Sequence, residues 1–209
     1  MKSKKGIGFL VLCTMLVCTA SAGAVTMTIA TFDDPAVNST MPLFTIDLTT
    51  HFITGGWSDL QTGLDLNVVY SGRIFYDAFF VMTPVTYTGG LTGGSTGRGA
   101  IKFFEDNQST STPPLIQIDF DSANLSPTGF GALELFALND VTISGSEIGA
   151  ATLTDEAFSF SFANQVMLPG DDGYTATAAF TSSAVPEPAT IMLFGIGGLM
   201  TLIRKRRAA

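Results

Sequence analysis

An all-β, antiparallel β-sandwich of jelly-roll or Greek-key type is the fold this sequence predicts for its central region. Three observations predict it. Apolar and polar residues alternate with a period of two in several separate runs, as on strands with one buried face. Residues 25–184 hold 15 Phe and 23 Thr, both strand-favouring, and none of this region shows a 3.6-residue period. Gly, Pro, Asn and Asp cluster between the runs, where turns use them.

The elements follow in order. Residues 26–32 form a first, irregular strand. Phe44, Ile46, Leu48 and Phe52 share one face of the next run, with Thr45, Asp47, Thr49 and His51 on the other. Leu64, Leu66, Val68 and Tyr70 alternate against Asp65, Asn67 and Val69. Runs 73–82 and 100–104 are less regular. Ile116, Ile118 and Phe120 alternate against Gln117, Asp119 and Asp121, and 130–138 follows with a weaker pattern. Phe158, Phe160 and Phe162 alternate with two serines, and 174–180 closes the series. About nine or ten short strands at this spacing read as a sandwich. Long connections around 54–63, 89–99 and 105–114 suggest crossings rather than a meander.

The two ends differ from this region. Lys2, Lys4 and Lys5 precede an apolar run from Gly6 to about Ala20, and Ser21, Ala22, Gly23 and Ala24 follow. That is the layout of a secretory signal helix, with signal peptidase cutting after Ala24 or at the Ala20-Ser21-Ala22 exit. Both cysteines, Cys13 and Cys18, fall inside it. A mature chain has no disulfide framework, thiolate nucleophile or cysteine-based zinc site. Between the ends, three cations (Arg73, Arg98, Lys102) face 17 acids, a net charge of −14. Such a field repels nucleic acid and anionic headgroups. It suits divalent cations, neutral glycans or cationic partners, although solubility alone explains it more simply.

At the other end, 189–203 holds no charge and is followed by Arg204, Lys205, Arg206 and Arg207. As a helix it is about 22 Å long, short of the roughly 30 Å of a bilayer core. The cations hold their side inside the membrane, which places the central region across it. Pro186 and Pro188 keep the helix from running backwards and leave Glu187 in extended backbone. The reading by segment is 1–24 signal peptide, 25–181 β-sandwich, 182–188 linker with the proline-bracketed glutamate, 189–203 transmembrane helix and 204–209 basic cytoplasmic tail.

Val185-Pro186-Glu187-Pro188-Ala189-Thr190, the Gly195/Gly197/Gly198 segment and the Arg-rich end closely resemble the PEP-CTERM sorting signal. The resemblance covers about 25 residues and implies a Gram-negative, usually exopolysaccharide-producing bacterium. It also implies an exosortase as partner, an integral-membrane cysteine protease-like enzyme that recognises Pro186, Glu187 and Pro188. The tail is then a removable address: the chain crosses the inner membrane, is anchored there transiently, and reaches the cell surface or medium. The family signal says nothing about the domain that carries it. The stretch IQIDFDSANLSPTGFGALELF more loosely resembles a strand–turn–strand element of sandwich domains in such proteins.

Catalytic signals are absent from the central sequence. His51 is alone, no Gly-x-Ser-x-Gly elbow occurs, and Gly89 to Gly99 lacks the Gly-Lys-Ser/Thr ending of a phosphate loop. Pairs such as Asp119/Asp121 are expected by chance among 17 acids. The expectation is a protein that is not an enzyme and has no cofactor. Asp33, Asp34, Asp171 and Asp172 are the candidate ligands for calcium, solvated turns being the plainer reading. Three roles stay open: a structural or adhesive protein of an exopolysaccharide matrix, a carbohydrate-binding module, and a secreted glycan-active enzyme. An exposed row of Trp57 with Tyr70, Tyr76 or Tyr87 would favour sugar binding, and two facing carboxylates would favour the enzyme.

Overall fold

The computed structural model describes residues 25–33, 43–57, 63–105, 110, 112–127 and 132–186. Residues 25–187 form one compact unit. The expected signal helix at 1–24 and the transmembrane helix at 189–203 lie outside the described residues.

Thirteen strands make up the described fold: β1 (Met27–Phe32), β2 (Phe44–Asp47), β3 (Phe52–Gly56), β4 (Leu64–Val68), β5 (Arg73–Gly90), β6 (Gly93–Thr96), β7 (Gly99–Phe104), β8 (Ile116–Phe120), β9 (Asn124–Pro127), β10 (Leu133–Ala137), β11 (Val141–Ser144), β12 (Leu153–Met167) and β13 (Gly173–Pro186). A single 3-10 turn, Pro169–Asp171, joins the last two. The all-β expectation holds, and each strand pairing is antiparallel.

The strands form one hydrogen-bonded sheet that curls back on itself. Its path β5-β3-β2-β13-β12-β10-β9-β6 returns to β5, because β6 pairs with that strand as well. The long strands β5 and β13 are bridged a second time, by β4 and β1. Strands β7, β8 and β11 extend from β5 as a wing. The wing faces β12 and β13 across the core: Phe103 of β7 lies 4.9 Å from Phe180 of β13, and Phe120 of β8 lies 5.1 Å from Phe158 of β12. Neither pair joins hydrogen-bonded neighbours, so these contacts are between opposed faces.

The alternating residues account for this packing. Phe158, Phe160 and Phe162 point inward from β12; Phe32, Phe44, Phe80 and Phe180 meet Phe160 from four other strands, and Phe103 of β7 packs on Phe32, Phe80 and Phe180. Offset and edge-on ring contacts of this kind add about 0.5–1.5 kcal/mol each to their area burial.

Several boundaries differ from the sequence reading. The expected run from Phe44 to Phe52 is two strands joined by a turn. The Asp47 carboxylate accepts the Thr49 and Thr50 N–H groups at 2.8 and 3.0 Å, and His51 adopts φ +55°. This local bonding outcompetes the ladder and places His51 in the turn. The glycine-rich stretch is a hairpin of β5 and β6. A Cβ on Gly94 would stand 2.7 Å from the Gly89 Cα, so the two strands approach each other only with glycine there. The stretch resembling strand–turn–strand holds three strands, and β8 pairs with neither β9 nor β10. Finally, 182–186 is strand rather than linker.

Candidate functional site

The sorting tract begins inside the domain. β13 is long because small and β-branched residues alternate along it: Tyr174, Ala176, Ala178 and Phe180 are buried, and Thr181 faces solvent. Its final pairs are Val185 with Thr154 and Pro186 with Leu153. The Thr154 hydroxyl donates to the Val185 carbonyl at 3.2 Å, and Val185 is buried. Pro186 is thus the last described residue of the tract. Glu187, Pro188, Arg204, Lys205, Arg206, Arg207 and Ala24 lie outside the described residues. No described helix is long and apolar enough to cross a membrane.

Of the candidate calcium ligands, Asp33 is not gathered with Asp171 and Asp172. β1 meets β13 with Phe32 opposite Phe180, whereas Asp171 and Asp172 precede Gly173 at the far end of that strand. Seven residues of strand span about 23 Å, so Asp33 and the Asp171/Asp172 turn lie far apart. β1 and β13 pair from Met27 with Ala184 onward, away from the Asp171/Asp172 turn. Asp34 lies outside the described residues, among which no group of three or more His, Cys, Asp or Glu could hold a metal ion.

A different acidic groove is present, of about 490 Å³, at the edge of the wing. Asp119 and Asp121 at the end of β8 meet Asp140, just before β11, and Arg98, just before β7. Arg98 bonds the Asp121 carboxylate at 2.8 Å. The Gln117 side-chain amide donates to Asp119 at 2.7 Å. Sequence reasoning paired Asp119 with Asp121 but missed Asp140, because only the β8–β11 register brings it close. Arg73, a second domain cation, pairs with Glu147 at 2.5 Å and lies over the Phe75 ring.

The aromatic residues do not form a surface row. The Trp57 side chain is buried, and the residue's backbone N–H donates to the Phe80 carbonyl at 2.9 Å. It lines a groove of about 290 Å³ with Leu43, Thr54 and Phe80. Tyr87 is buried and its hydroxyl bonds the Gly90 carbonyl at 2.7 Å, which leaves Tyr76 as an exposed ring, 67% accessible. Two acids carry the clearest electrostatic signatures. Burial pushes the Glu156 carboxyl above the usual range despite the Ile143 N–H it accepts at 2.7 Å. The Thr50 backbone N–H, with that residue's hydroxyl and the Thr49 N–H, draws Asp47 below it.

A compact β domain whose last strand runs directly into a proline-bracketed glutamate, a short uncharged tract and four cations is a passenger fused to a C-terminal address. The family model of the PEP-CTERM protein-sorting motif matches residues 184–207, and the chain carries that motif. The motif indicates export and exosortase-dependent sorting to the cell surface. No curated protein and no solved structure matches the chain.

Proposed function

We propose that this chain is a structural or adhesive protein of an exopolysaccharide matrix, exported across the inner membrane of a Gram-negative bacterium and released by an exosortase. The observation that carries the reading is the sorting motif at 184–207, joined to an all-β body. In this reading residues 1–24 are a signal helix removed by signal peptidase. Residues 189–203 are a short membrane helix held by Arg204, Lys205, Arg206 and Arg207 until cleavage. The domain is a sandwich-type body that acts without catalysis or cofactor, in contact with extracellular polysaccharide and not nucleic acid. The burial of Trp57 and Tyr87 weighs against a glycan-binding row, because stacking on sugars needs exposed rings. The bonds that hold Asp121 to Arg98 and Asp119 to Gln117 weigh against a free catalytic pair. The test is Glu187→Ala, in a cell with an exosortase. The account expects the full-length chain to accumulate in the inner membrane. Normal release of that variant would refute it.

A further inference from the structure

The last two residues of β13 are held apart from the rest of its ladder. A bulge at Asp155, where φ is +50°, separates the Thr154–Val185 and Leu153–Pro186 pairs from the ladder that resumes at Ala157–Ser183. On the other side of β13, the pairing with β1 reaches only as far as Ala184. Val185 and Pro186 therefore have β12 as their one strand neighbour among the described residues. Within this two-pair clasp Val185 is 5% exposed, Leu153 packs against the core, and the Thr154 hydroxyl holds the Val185 carbonyl. Pro186 has no N–H to add to the ladder. The next residue is Glu187, so no spacer lies between the clasp and the centre of the motif.

An enzyme that reads an extended peptide needs that peptide's backbone and side chains for its own cleft. Pro186 cannot serve the cleft fully while it lies in the β12 ladder. We propose that Leu153 and Thr154 are positioning residues for processing: they retain Val185 and Pro186 on the domain, and these two pairs open before the motif is cut. The bulge confines the opening to the end of the strand, so the ladder from Ala157–Ser183 stays intact. The inference rests on the exosortase reading and assigns the folded domain a part in the rate of its own release.

Pulse-chase of the full-length chain in exosortase-carrying cells tests it. Thr154→Ala removes the bond to Val185 and should raise the rate of processing several-fold, with little change in the melting temperature of the released domain. A short Gly-Ser spacer between Val185 and Pro186 should act the same way. A cross-link made by Thr154→Cys with Val185→Cys should slow processing by at least about tenfold, and a reductant should restore it. Processing of the spacer variant and of the oxidised cross-linked chain at the unmodified rate would overturn the proposal. Glu187→Ala separates the two ideas. If it blocks release while the clasp variants behave normally, only the clasp is wrong. If it is processed normally, the exosortase reading fails first.

Discussion

Phe160 has the rings of Phe32, Phe44, Phe80, Phe158 and Phe180 within 6.1 Å, and it is fully buried. Replacing it with Ala removes these contacts and leaves a cavity that a closed sheet cannot readily fill. The expected cost is about 3–5 kcal/mol, measured by urea unfolding of residues 25–187. Tyr174 should behave in the opposite way. Its hydroxyl is buried and has no hydrogen-bond partner among the described residues. Burial, reinforced by the nearby Tyr87, also holds the phenol well above its usual pKa. Tyr174→Phe should therefore leave stability unchanged or raise it by up to about 1–2 kcal/mol, and a loss would show that the hydroxyl has a partner. The inward Phe residues of β12 were legible in the sequence because a period of two over five positions fixes their face. Trp57 was not. Glycines precede both an exposed platform and a buried anchor, and the choice depended on tertiary neighbours such as Leu43 and Phe80, distant in the chain.

At the scale of elements, turns decide where strands stop. Gly173 opens β13 at φ +145°, and a Cβ there would lie 2.0 Å from the Ile46 carbonyl oxygen. Gly173→Ala should cost more than about 2 kcal/mol and separate β13 from β2, seen as lost amide protection at Phe44–Asp47. Strand β11 is the open end of the sheet path, and Glu156 accepts its Ile143 N–H. The Glu156 pKa is raised in the folded state, so the folded protein binds that proton more tightly. Its contribution is most favourable below the ordinary carboxylate value, and it declines as pH rises through the raised one. Glu156→Gln keeps an acceptor for Ile143 and removes the buried charge. It should flatten that decline in a pH series of melting temperatures and leave the protein no less stable at neutral pH. Asp47 has the opposite sign: its lowered pKa gives stability that is present at neutral pH and lost on acidification. The long alternating runs were readable as strands. The four-residue strands β6, β9 and β11 were not, because two inward positions make no recognisable period. The split of the second run into β2 and β3 was hidden for another reason. Its alternation continues through Leu48, while the Asp47 side chain turns the backbone.

Across the whole molecule, sequence order conveyed class but not closure. Period-two runs and the absence of a helical period were enough for an antiparallel, all-β body. The return of β6 to β5, and the double bridge between β5 and β13, depend on registers that no local pattern encodes. The sorting motif was fully legible, since its chemistry lies in contiguous residues, whereas its direct attachment to the β13 ladder appeared only in the structure. Far-UV circular dichroism of residues 25–187 should be dominated by strand, and a helix content above about a quarter would contradict the fold. The central claim is that a folded β domain is delivered by a tail that is then removed. Intact-mass spectrometry of the protein recovered from the cell surface or medium tests this most directly. The account predicts a chain that lacks Met1–Ala24 and ends within residues 185–188. A chain recovered outside the cell that still carries residues 191–207 would contradict it.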